Sequence, residues 1–153
     1  MRWVLDSLSD ADERFIVANH AYSDFELPVY ADTFAVETPL SGLHTALEEA
    51  GHDWVAVAAC DLPFLTPLYW HNLYERRGDA QAVVVERAGR LEPLAALYHR
   101  KTRSLSEKRL AQGELAVHSF VEQLSANIIH WESLGLPEET LTNINRVRDL
   151  HTS

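Results

Sequence analysis

Five short runs rich in β-branched and small apolar residues punctuate the chain, at positions 15–18, 29–31, 54–59, 82–85 and 94–98. Stretches of helical period separate them, and this alternation predicts an α/β fold with a mostly parallel sheet. The run at 54–59 (Trp-Val-Ala-Val-Ala-Ala) is apolar throughout, which predicts a central strand covered on both faces. Residues 128–131 form a weaker sixth candidate.

Between the second and third runs, Leu40, Leu43, Ala46, Leu47 and Ala50 recur at three- and four-residue steps and make one apolar stripe on a helix. Thr38 is placed to cap it, Pro39 suits its first position, and Gly51 stands as its stop. Thr66 and Pro67 open a second helix in the same way, carrying Leu68, Trp70 and Leu73. Ser104 with Glu107 fits a capping box for a third, ending near Gln112 and Gly113. Residues 3–8 read as two turns of an amphipathic helix leading into the first strand. A βαβ unit needs a strand before such a helix, so either the helix is a decoration or a strand and its loop are missing. No repeat or flexible linker divides the chain, and one domain over 1–153 is expected.

Composition narrows the partners. The 153 residues are 46% hydrophobic and 24% charged, which suits one globular core and excludes a disordered or disulfide-built chain. Lys and Arg number 13 against 23 Asp and Glu, so 13 − 23 gives −10. A surface of that sign repels nucleic acid and anionic membranes. The single cysteine, Cys60, permits no internal disulfide and sits where a buried thiol is expected, which fits a reducing cytoplasm. No window approaches the ~20 apolar residues of a membrane span, and charge arrives too early for a signal peptide. No pair of the eight histidines has zinc-site spacing, and the four tryptophans fall on patterns where core packing is expected.

Four places carry candidate chemistry. Asp61 directly follows the apolar run, where ligands of open α/β sheets bind; it either meets a hard cation and a phosphate or caps the turn before Pro63. The helix start Thr38-Pro39-Leu40-Ser41-Gly42-Leu43 offers free amides and a positive dipole end to an anion or a base edge, or is a capped helix that binds nothing. Asn143 and Asn145, at i and i+2, share one face if extended and suit a phosphate or a metal-bound water, or mark a plain turn. Asn19 repeats the positional argument for Asp61 at the end of the first run. No nucleophile elbow, Walker loop or Gly-x-Gly-x-x-Gly motif is present.

Taken in order, Asn19, Asp32, Pro39-Leu40-Ser41-Gly42-Leu43, Asp61-Leu62-Pro63-Phe64, Glu92-Pro93-Leu94-Ala95-Ala96-Leu97-Tyr98 and Asn143-Ile144-Asn145 with Asp149-Leu150 resemble the molybdenum cofactor guanylyltransferases of the MobA type. The resemblance implies a Rossmann-like three-layer α/β/α nucleotidyltransferase fold and transfer of GMP from GTP to molybdopterin, with Mg²⁺ present and pyrophosphate released. It implies that Asp61 coordinates Mg²⁺, that Asn19, Asp32, Pro39, Leu40 and Gly42 belong to the guanosine pocket, and that Asn143 and Asn145 face the phosphate and pterin. Molybdoenzyme-maturation proteins are the implied further partners, and self-association is expected from bare sheet edges. The family's opening strand, its glycine-rich loop and following lysine have no counterpart here. Thr38 replaces a glycine, and Arg146-Val147 a Thr-Pro pair. The expectation is therefore a fragment of a longer protein, or a start assigned late, with the first strand missing from the middle of the sheet. The alternatives are a related enzyme using another nucleotide or acceptor, and a non-catalytic homologue acting as a binding module.

Overall fold

The run at 82–85 forms the middle of the sheet: all four of its residues are fully buried. The computed structural model describes residues 1–19, 25–34 and 38–143. Along them run α1 (Arg2–Ser7), β1 (Ile16–Val17), β2 (Val29–Tyr30), α2 (Pro39–Glu49), β3 (Trp54–Ala58) and α3 (Pro67–Glu75). There follow β4 (Ala82–Arg87), β5 (Arg90–Leu91), β6 (Ala95–His99), α4 (Arg103–Ala111), α5 (Val117–Glu122) and β7 (Ala126–His130). Short 3-10 turns occupy Arg100–Thr102, Trp131–Leu134 and Glu138–Leu141.

One sheet pairs β3 with β6 and β6 with β4, both antiparallel; β5 and β7 pair with β4, antiparallel and parallel respectively. Strands β3, β4 and β7 thus share a direction, and β6 is inserted against them. The cause is the hairpin at Ala88 and Gly89, both with positive φ, which turns the chain back after β4. The sheet is mixed, as expected, and two-sided. Ala82 and Val84 of β4, with Ala96 and Tyr98 of β6, pack against α2, α4 and α5. Val83 and Val85, with Ala95 and Leu97, pack against α3, Leu62, Leu65 and Leu141. Strand pleat sends alternate side chains to opposite faces, which produces the three α/β/α layers.

Strand β3 corrects the reading of residues 54–59 as a buried central strand. Among the described residues it pairs only with β6, and most of its residues are half-buried. Its other edge faces a cavity of about 960 Å³. Residues 15–18 line the far side, and β1 pairs only with β2 among the described residues, in a separate parallel ladder. Leu43, Ala46 and Ala50 of α2 form one wall, and Val4, Leu5, Trp70 and Tyr74 of α1 and α3 another. Packed interiors hold few voids larger than one water, whereas this one equals roughly thirty waters' share of the liquid. The apolar character of β3 therefore reflects a strand with both layers in place and, among the described residues, a lateral neighbour on one edge only.

Other local readings also shift. Cys60 is exposed in the turn after β3 instead of buried. Trp3 is 50% exposed on α1, while Trp70 and Trp131 are buried. Helix α4 begins before the expected capping box: the 3-10 turn runs into it, and Thr102 at its start makes no side-chain cap, leaving Ser104 inside the helix. The caps of α2 and α3 are as read, with Thr38 accepting from the Ser41 N–H at 3.2 Å and Thr66 from the Tyr69 N–H at 3.4 Å.

Candidate active site at the carboxyl ends of the strands

The start of α2 is built by a reciprocal capping box. Thr38 is extended, Pro39 supplies the preset φ of the first turn, and Ser41 Oγ accepts the Thr38 N–H at 3.0 Å. Ser41 is fully buried, and its one hydroxyl proton lies between the Thr38 carbonyl at 2.8 Å and Asp32 Oδ2 at 3.0 Å. The Asp32 N–H donates to Asn19 Oδ1 at 2.9 Å. Three separate segments, the end of β1, the turn after β2 and the first turn of α2, are thereby joined around Asp32.

This arrangement disfavours an anion at the helix start. The capping box already uses the Ser41 and Thr38 amides, Pro39 has none, and a carboxylate occupies the positive end of the helix dipole. A second anion would meet Asp32. What Asp32 offers is a fixed hydrogen-bond acceptor. Pro39 and Gly42 line the cavity, and Asp32 Oδ1 stands 4.0 Å from where a Cβ on Gly42 would lie. Leu40 differs from the expectation for a pocket residue: its side chain is fully buried in the core with residues of α4 and α5, and it does not line the cavity.

Across the cavity, Ala59 and Cys60 continue β3 along the wall to Asp61, which is half-buried. Among the described residues no hydrogen bond or ion pair engages the Asp61 carboxylate, so the turn-capping alternative finds no partner there. Neighbouring backbone is fixed. The Ala59 N–H donates to the Leu94 carbonyl at 2.8 Å, Tyr98 Oη donates to the Pro93 carbonyl at 2.6 Å, and Tyr69 Oη to the Ala95 carbonyl at 2.5 Å. Burial pushes both tyrosines well above the usual phenol range, which keeps these donors protonated. Burial likewise raises the Glu92 carboxyl, against the pull of Arg87, His118 and Arg90. The motif at 92–98 thus buttresses the turn that carries Asp61.

Asn143 is exposed just past the 3-10 turn Glu138–Leu141. That turn returns the chain toward Asp61: Leu141 shares a buried cluster with Leu62 and Leu65, and Pro137, Glu139 and Thr140 form a cleft with residues 63–66. Asn145, Asp149 and Leu150 lie outside the described residues. Sequence reasoning missed the role of Ser41 as anchor of Asp32; a hydroxyl at the third helical position after Thr38 was the available signal.

A model of the MobA-like NTP transferase domain matches residues 1–128. A probable molybdenum cofactor guanylyltransferase of Carboxydothermus hydrogenoformans is 35% identical over 143 residues, covering 91% of this chain and 73% of that protein. One from Clostridium perfringens is 32% identical over 109 residues, covering 70% of this chain and 55% of its own length. The chain thus spans between about half and three quarters of these relatives. Among solved structures, molybdopterin-guanine dinucleotide biosynthesis protein A from Archaeoglobus fulgidus superposes with a TM-score of 0.82 at 24% identity, over 99% of this chain and 81% of that one. A Thermus thermophilus cytidylyltransferase superposes with a TM-score of 0.73 at 17% identity, over 99% of this chain and 85% of that one, and shares the fold. With its three layers, its Asp32 network and a family match over most of its length, the chain belongs to the MobA-like NTP transferase domain family.

Proposed function

We propose that this chain carries the nucleotide half of a guanylyl transfer to molybdopterin. The carrying observation is Asp32, its N–H held by Asn19 and its carboxylate by Ser41, beside the cavity-lining Gly42. Guanine presents adjacent N1–H and N2–H₂ donors to such an acceptor, whereas adenine and cytosine each place an acceptor beside a donor. Pro39 and Gly42 shape the floor of this base pocket.

In the reaction, a phosphate oxygen of molybdopterin attacks the α-phosphorus of GTP. A new phosphoanhydride bond forms, the bond to the β-phosphate oxygen breaks, and pyrophosphate leaves. Such transfers need positioning and charge neutralisation more than covalent help from the protein. Asp61 is the residue suited to hold Mg²⁺. Among the described residues no three metal-ligating side chains converge, and Mg²⁺ is commonly bound by one or two carboxylates with substrate phosphates completing its shell. When bound, the ion supplies positive charge to the phosphates. Asn143 and Asn145 orient the phosphate and pterin side; the packing of Leu141 with Leu62 returns the chain as far as Asn143 toward the Asp61 turn.

The cavity supports a further part of the reading. A strand with a glycine-rich loop and a lysine, as the family resemblance implies, would pair with the edges of β1 and β3 that no described strand occupies and bring phosphate-binding amides to the cavity. Location in the cytoplasm and contact with maturation proteins belong to the same proposal. No helix among the described residues is long and apolar enough to cross a membrane.

Pyrophosphate release tests this reading. The chain is incubated with Mg²⁺, molybdopterin and each of GTP, CTP, UTP and ATP, with and without a peptide comprising such a strand and loop. Release that depends on GTP and molybdopterin, and rises with the peptide, is expected. Equal use of CTP, or no release under either condition, overturns it.

A further inference from the structure

A polar stripe on α2 stands out from its apolar surroundings: Ser41, Thr45 and Glu48, at steps of four and three, share one helix face. The turn after β2 lies across this stripe. The Thr33 N–H donates to Thr45 Oγ1 at 3.1 Å, and Thr33 Oγ1 donates to Glu48 Oε2 at 2.7 Å. Thr45 is buried, and its own proton goes back to the Ser41 carbonyl at 3.0 Å. Its lone pairs are thereby turned to Thr33. Thr33 Oγ1 has spent its proton on Glu48, so its 3.4 Å approach to Thr45 Oγ1 adds little. Residue 32 is thus held from its own amide by Asn19, from its carboxylate by Ser41, and from the next residue's amide and hydroxyl by Thr45 and Glu48.

We infer that Thr45 and Glu48 are positioning residues that determine base specificity, by fixing the Asp32-Thr33 backbone so that the Asp32 carboxylate keeps one orientation beside the cavity-lining Gly42. The inference rests on the reading of Asp32 as the guanine acceptor. A carboxylate with a wandering backbone accepts from any donor that reaches it and loses its preference for a base with two adjacent N–H groups. Neither Thr45 nor Glu48 needs to touch the nucleotide. Discrimination between GTP and ITP isolates this effect, since ITP lacks only the 2-amino donor.

Competition calorimetry measures the ratio of GTP to ITP affinity for the wild-type chain with Mg²⁺, for Thr45→Val, Thr45→Ser and Thr33→Val. Thr45→Val preserves shape and removes the acceptor, while Thr45→Ser keeps it. Thr33→Val cuts the exposed Glu48 anchor and leaves the core untouched, which keeps the test open should Thr45→Val fold poorly. A ratio reduced about tenfold in Thr45→Val, reduced also in Thr33→Val and restored in Thr45→Ser is expected. An unchanged ratio in both valine variants overturns the positioning role while leaving the Asp32 reading intact. A wild-type chain without preference for GTP overturns both.

Discussion

At the residue scale, Gly42 shows how fold stability and the site pull apart. It sits inside α2, where glycine costs about 1 kcal/mol relative to alanine, and an added Cβ would meet Asp32 Oδ1 only at ordinary contact distance. Gly42→Ala is therefore expected to raise stability by about 0.5–1 kcal/mol in urea unfolding while weakening GTP binding, because the methyl group enters the cavity beside the acceptor. A variant that gains stability and binds GTP as before would remove Gly42 from the pocket. Part of this residue-level picture was legible in the chain: Thr38, Pro39 and Ser41 follow capping chemistry that depends on neighbours in sequence. The Asn19 to Asp32 and Thr33 to Thr45 bonds join residues 13 and 12 positions apart, and no local pattern encodes such pairings.

At the element scale, α2 and α4 are joined by a buried polar link. His44 Nδ1 lies 2.8 Å from Ser106 Oγ, whose proton goes to the Arg103 carbonyl at 2.7 Å, so the ring donates from Nδ1 while Nε2 lies 3.7 Å from Glu48 Oε2. Burial lowers the His44 pKa below its usual value and Arg103 adds to this, against the pull of Glu48 and Glu107. The unfolded chain then binds the proton at higher pH than the folded one. Stability from this site is full above the unfolded value of 6.5 and is lost as pH falls below it. Denaturant midpoints are expected to drop between about pH 7 and about pH 5 in the wild type and to drop less in His44→Gln. Parallel slopes would show that His44 titrates alike in both states. Helical stripes and runs of β-formers located most elements, since both report burial directly. Strand β5 escaped because its hairpin turn places Ala88 in the left-handed region, where asparagine or glycine is the usual sign. Strand β3 read as central because its two faces are covered, and periodicity carries no information about a lateral neighbour.

For the whole molecule, the two cores on either face of β4 explain how the fold holds together beside a cavity of about 960 Å³. The cavity is lined by residues 12–14 and His52 and by Pro39, Gly42 and Cys60; Asp32 lies beside Gly42, and Asp61 follows Cys60 in the chain. The net charge of −10 makes a triphosphate an unfavourable guest without a cation, which gives Mg²⁺ a role in binding as well as in reaction. Titration calorimetry of the chain with GTP, with and without Mg²⁺, and of the Asp61→Ala variant under the same conditions, reads this directly. Binding that needs Mg²⁺ in the wild type and weakens at least tenfold in the variant is the predicted result; wild-type affinity in Asp61→Ala would contradict it.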